Sequence, residues 1–191
     1  MIVKCVAKFG KDLPLDCLIT HDGFDIDHKF HLIVDKHYVV YAMTVYGGYI
    51  WYHICDEAYS YFPRWNPSPL FEVANGHLSR FWVYNFTKDG NWVKVIISYP
   101  EWANDPYYFD QLTDGEEKEV EIFKKYKSLM DVEFPNPSIR EAATVLDPTW
   151  LLCPLCIDAW ESIAKEGMVI CPYCHHMLHN PKYENTIGLH P

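Results

Sequence analysis

Positive charge is scarce in this chain: 16 Lys and Arg stand against 26 Asp and Glu in 191 residues, a formal net charge of −10. A surface of that sign repels phosphate backbones and favours basic partners. Long apolar runs are missing too. No stretch approaches the ~18 consecutive apolar residues that a membrane-spanning helix needs. The opening MIVKCVAKFG alternates like a strand, where a secretory signal would carry an apolar core. There is no GxGxxG or GxxxxGK[ST] phosphate loop, no GxSxG nucleophile turn and no HExxH pair. The residues therefore offer no catalytic constellation, and the expected setting is cytoplasmic.

What is present suits a folded, β-rich core. Apolar residues make up 49% and charged residues 22%, so most of the chain can bury a core rather than stay disordered. Fourteen Tyr and seven Trp favour strands and half-wet interfaces. Val3, Cys5, Ala7 and Phe9 alternate with lysines, as in a half-buried strand. Lys36–Met43 reads as another strand, followed by a Gly47-Gly48 turn into Tyr49–Cys55. A second hairpin is expected from Phe81–Phe86 through Asp89-Gly90-Asn91 into Trp92–Tyr99. Between the hairpins, three prolines in Phe62–Phe71 predict an irregular connection. Helix signals come later. Thr113 and Glu116 look like a capping box, with Val120, Phe123, Tyr126 and Leu129 at helical spacing behind it. A second helix is expected from an Asn136 cap to Leu146. The fold class expected is α+β: a small bent β-sheet or SH3-like barrel with two helices over residues 1–146, then a metal module over 147–191.

The module rests on four of the seven cysteines. Cys153-Pro-Leu-Cys156 is separated by fourteen residues from Cys171-Pro-Tyr-Cys174. A gap of two lets one tight turn present both sulfurs to a single ion, and two such turns complete a tetrahedron of soft thiolates, which zinc prefers. The pattern resembles a zinc ribbon over roughly Trp150–Pro181, implying one structural Zn2+. Ala159–Ile163 and Met168–Ile170 are expected to pair as its hairpin. Iron in a rubredoxin-like cage would use the same sulfurs, but rubredoxins carry glycine after each knuckle, where this chain has Ile157 and His175. CPYC alone resembles a glutaredoxin active site, though without the surrounding βαβ unit. A closed four-cysteine site leaves no position for a reactive water, so His175, His176 and His179 read as surface residues. Cys5, Cys17 and Cys55 read as reduced, packed thiols.

Two further clusters stand out. Asp25, Asp27, His28 and His31 could hold a second metal or serve an enzyme, but no helical spacing fixes them, and a solvated turn is the expectation. Val95–Glu117 has no Lys or Arg and interleaves acids with aromatics. Rings could anchor a basic protein partner while carboxylates steer its approach, which makes Trp102, Asp105, Tyr107, Tyr108 and Asp110 the candidate partner-binding residues. Acidity, aromatic content and size together resemble bacterial immunity proteins that neutralise toxins, often basic nucleases. That resemblance implies a non-enzymatic zinc-containing interaction protein. The alternative is a nucleic-acid- or transcription-associated zinc-ribbon protein. Against it, the module from Asp147 onward sets only Lys165 and Lys182 against five carboxylates.

Overall fold

In the first strand Ile2, Val3 and Cys5 are all buried, so apolar residues face inward on both sides of the backbone. That strand, β1 (Ile2–Cys5), is the centre of a three-stranded antiparallel sheet between β2 (His37–Val39) and β6 (Phe71–Asn75). The structure is a computed structural model describing residues 1–19, 24–59, 61–89, 92–134 and 141–182. It divides into two units, Met1–Met130 and Asp131–Pro191. With several antiparallel sheets and four helices among the described residues, the chain is α+β.

A five-stranded antiparallel sheet dominates the first unit. β3 (Ala42–Tyr46) lies at its centre, flanked by β4 (Tyr49–Ile54) and β5 (Arg64–Pro67) on one side. β8 (Trp92–Ser98) and then β7 (Val83–Asp89) lie on the other. Gly47 and Gly48, at φ of 59° and 82°, close the β3–β4 hairpin. A two-residue turn with both φ positive follows the strand twist and suits glycine. The β7–β8 hairpin also forms, although Gly90 and Asn91 of its expected turn lie outside the described residues.

Lys36–Met43 is not one strand. It divides into β2 and β3, which belong to different sheets, because the backbone changes partner between them. Val40 donates to the Met1 carbonyl at 3.1 Å, and Tyr41 to the His53 carbonyl at 2.9 Å. The proline-rich connection likewise contains β5, ending in Pro67. That strand is on the sheet edge, where a missing N–H is tolerated. Among the described residues the sheets stay open and no barrel closes. Val3, Cys5, Tyr38 and Phe71 of the smaller sheet share one core cluster with Met43, Trp51, Tyr52 and Ile54 of the larger.

The helices are α1 (Leu15–Ile19), α2 (Pro100–Ala103), α3 (Tyr108–Asp114) and α4 (Glu117–Glu133). Pro100 opens α2, where its fixed φ is already helical and its missing N–H unneeded. Gly115, at φ 83°, ends α3 in the left-handed conformation. Thr113 is thus not the expected cap. It lies inside α3, donating its hydroxyl to the Asp110 carbonyl, and α4 begins after Glu116, whose carbonyl accepts the Val120 N–H. Phe123, Tyr126 and Met130 form the buried stripe of α4, with Met130 in place of the expected Leu129.

Aromatic rings tie this helical part together. Tyr99 stacks on Tyr126 with centroids 4.1 Å apart, and Trp102 packs edge-on against His53 at 4.9 Å. The Tyr108 hydroxyl donates to the Glu119 carbonyl, leaving it to accept from Tyr99 at 2.9 Å. Both buried hydroxyls are therefore satisfied. No helix among the described residues is long and apolar enough to cross a membrane.

The second unit starts earlier than Asp147. Of the helix expected over Asn136–Leu146, positions 136–140 lie outside the described residues, and the rest is extended. β9 (Thr144–Val145) pairs with β10 (Trp150–Leu152), and Ala142 bridges to His179. These pairings override local helix preference and bind residues from 141 onward to the cysteine module.

Candidate metal centre

Each cysteine pair occupies the turn of its own hairpin. β10 pairs with β11 (Ala159–Glu161) around Cys153–Cys156, and β12 (Met168–Ile170) pairs with β13 (Met177–His179) around Cys171–Cys174. The expected pairing of residues 159–163 with 168–170 does not occur. A C-x-x-C turn reverses the chain, so the strands on either side of it are the nearest partners.

The two turns repeat one another bond for bond. Cys153 donates its N–H to the Asp158 carbonyl, and Ile157 returns a bond to the Cys153 carbonyl, at 2.9 and 3.0 Å. Cys171 donates to His176, and His175 returns to Cys171, both at 3.0 Å. The residue after each pair stands at positive φ: Ile157 at 64° and His175 at 58°. This left-handed position normally favours glycine, and a β-branched residue there is strained by roughly 1–2 kcal/mol. Knuckle geometry is thus imposed on the sequence rather than preferred by it. The sulfurs repay that strain only if something joins them.

The sulfurs are placed to be joined. All four ligand atoms lie within 4.8 Å of one another. Cys153 Sγ is 3.6 Å from Cys174 Sγ, and Cys156 Sγ is 3.6 Å from Cys171 Sγ. A tetrahedron with metal–sulfur bonds of about 2.3 Å has edges of about 3.8 Å. A disulfide would need about 2.05 Å, so these cysteines are not bridged. The first cysteine of each pair is buried in a small core with Leu151, Trp160, Val169 and Leu178, and the second is half-buried at its rim. The described residues thus present a four-sulfur set able to bind one metal ion.

Backbone donors prepare the set for negative charge. Burial opposes ionisation of Cys153, but N–H groups of Cys156 and Leu155 and the neighbouring thiols hold its pKa down at about 7. Leu155 N lies 3.4 Å from that sulfur. At Cys156 the Asp158 N–H favours the thiolate, yet burial and the adjacent sulfurs outweigh it and push the thiol up to about 12. Cys174 is raised as well: the His176 N–H favours its thiolate, but burial and the Cys171 and Cys153 sulfurs prevail. A divalent cation reverses the balance by neutralising the crowded sulfurs. Metal uptake at pH 7.5 should therefore release at least two protons per ion, from Cys156 and Cys174, in a weakly buffered indicator titration. Acid works the other way: affinity for the metal falls as pH drops, because protons compete with the ion for the sulfurs.

Asn180 is a supporting residue that sequence reading missed. It is buried, and its Nδ2 donates to the carbonyls of Ala164 and Glu166 at 3.1 and 2.8 Å. Its own N–H bonds to the Gly167 carbonyl, so one side chain fixes the connection between the knuckle hairpins. The Asn180-Pro181 dipeptide, a turn signal, was the available clue.

Other expected sites stand apart. Among the described residues, the four cysteines are the sole group arranged to hold a metal. His28 of the Asp25–His31 segment packs against Phe24 and Phe30 with centroids 4.4 and 4.7 Å away, and burial leads in lowering its pKa. Asp25 accepts the Asp27 N–H within a turn. Cys5 and Cys17 are buried thiols with pKa raised by burial, and Cys55 is half-buried. In the acidic-aromatic stretch, Trp102 and Tyr108 are 2% and 1% exposed and so belong to the core rather than to a docking surface. Tyr107 is 67% exposed, Asp110 is exposed and Asp105 half-buried. Sequence alone did not separate the inward from the outward rings of this stretch.

Compared with protein-family models, with curated proteins and with solved structures, the chain gives no match in any of the three.

Proposed function

We propose that the chain is a non-enzymatic interaction protein whose C-terminal unit is held by one structural zinc ion and whose acidic first unit docks a basic protein, as immunity proteins do with toxins. The carrying observation is the closed set of Cys153, Cys156, Cys171 and Cys174 sulfurs at tetrahedral spacing. Four thiolates fill zinc's preferred coordination, and the bound ion supplies a cross-link rather than an activated water. Iron would accept the same sulfurs. Zinc is favoured because the knuckles depart from the rubredoxin pattern at Ile157 and His175.

The docking part is supported by charge and exposure. Glu101, Asp110, Asp114, Glu116 and Glu117 are exposed along the same stretch as Tyr107, within a chain of net charge −10. Carboxylates that stay solvated steer an encounter, and an exposed tyrosine can anchor it. With Trp102 and Tyr108 in the core, Tyr107 is the ring left for that anchor.

The partner to try first is the product of the gene beside the one encoding this chain. If it is a basic toxin, co-expression should restore growth, and the purified pair should form a stable complex. In that complex Asp105→Asn with Asp110→Asn should slow association several-fold at low salt, with the effect fading as ionic strength rises. Tyr107→Ala should instead speed dissociation by about tenfold. Unchanged kinetics in both variants would remove this surface from the interface. A submicromolar, salt-sensitive complex with duplex DNA would favour the nucleic-acid alternative.

A further inference from the structure

Apart from the cysteines, the first unit holds a cleft of about 350 Å³ lined by Phe24, Phe62, Arg64, Trp65, Phe109 and Thr113, the last two from the acidic-aromatic stretch itself. That volume falls within the range of small-molecule sites, roughly 300–1,000 Å³. The lining combines four aromatic rings with one cation. Trp65 of β5 and Phe109 of α3 meet at 5.6 Å with their planes 66° apart, forming a corner of rings. Thr113 is four residues after Phe109, on the same face of α3.

Arg64 gives the cleft its chemistry. Its guanidinium lies 5.1 Å from the centre of the Tyr59 ring, and Tyr59 in turn packs on Phe62 at 4.7 Å. Among the described residues no carboxylate forms an ion pair with it, although the chain carries ten more acids than bases. Asp56 lines an adjoining recess with Arg64, His28 and His31. Its Oδ1 is engaged by the N–H groups of Ala58 and Tyr59 at 2.9 and 3.0 Å, a local turn. A planar guanidinium positioned by an aromatic face is suited to a carboxylate held by two parallel bonds.

We propose that this cleft binds a small planar aromatic monocarboxylate, its ring between Trp65, Phe109 and Phe62 and its carboxylate on Arg64. The ring walls select a flat apolar body, and the single guanidinium selects one negative charge. A polyanion would find one cation in a molecule of net charge −10, and a cationic ligand would meet Arg64 itself. The Thr113 hydroxyl already donates to Asp110, so it can only accept. A ring bearing a phenolic O–H or an indole N–H would use it.

The test uses the full metal-loaded chain and two probes of one shape, 2-naphthoate and the neutral 2-naphthalenemethanol, titrated by calorimetry and by NMR of the tryptophan indole and His28 signals. A fragment of this size should bind naphthoate with a Kd on the order of 0.1–1 mM. The alcohol should bind about tenfold more weakly or worse. Arg64→Gln, at a half-exposed position, should weaken naphthoate by roughly tenfold to a hundredfold and erase the difference between the probes. His28 should titrate at higher pH in the naphthoate complex, because the ligand offsets the nearby Arg64 charge. Absence of saturable naphthoate binding by about 10 mM would overturn the proposal. So would equal affinity for the alcohol in the wild type, which needs no variant to fold, or unchanged naphthoate binding by Arg64→Gln.

Discussion

Cys171→Ser leaves the protein without its metal and the Asp131–Pro191 unit unfolded, while Met1–Met130 keeps its fold. The reason is the size of what holds the second unit together. Its core cluster has seven buried residues, and two of them, Cys153 and Cys171, are sulfur ligands. A unit of about 60 residues buries too small a share of its surface to be secure alone. Two knuckles with strained Ile157 and His175 add to the cost. Metal binding to comparable small sites contributes roughly 10–16 kcal/mol at neutral pH, far more than such a core can replace. Amide exchange read residue by residue checks the result. Protection should vanish through β9–β13 and persist through β1–β8 and α4. Retained protection in β10–β13 of a metal-free variant would mean that the unit folds on packing alone.

Trp102→Ala lowers the stability of the first unit by about 3–5 kcal/mol, the usual cost of truncating a buried aromatic residue. Trp102 is 2% exposed and sits among His53, Tyr99, Tyr108 and Phe109, with centroids 4.9 to 5.8 Å away. Its removal leaves the α2–α3 corner without its central ring. Tyr107→Ala, at a 67% exposed position, should change stability by no more than about 0.5 kcal/mol. Urea denaturation of the two variants gives the comparison directly. Equal, small losses would return Trp102 to the surface and reopen its candidacy as an anchor.

The residues whose chemistry is local were the ones legible in the sequence. C-P-x-C twice, Gly47-Gly48 between apolar strands and the Phe123–Tyr126 stripe each carry their geometry in a few neighbouring positions. Elements set by distant partners were not legible. The switch between β2 and β3 depends on where Met1 and His53 offer carbonyls, and β9 exists because β10 lies beside it. The knuckle hairpins were misassigned for a related reason. The residues 159–170 suit pairing with one another, but each strand finds its partner across its own cysteine turn. In Val95–Glu117 the acids and rings were visible, yet α2 and α3 turn Trp102 and Tyr108 inward while leaving Tyr107 outside. That sorting follows from helix phase over two very short helices, too short for a periodic signal to emerge.

The central claim is the metal centre, and X-ray absorption at the zinc edge, with metal analysis of protein purified without chelator, tests it most directly. The account predicts one zinc per chain with four sulfur neighbours at about 2.3 Å and no nitrogen or oxygen ligand. Iron in place of zinc, or a first shell with fewer than four sulfurs, would contradict it.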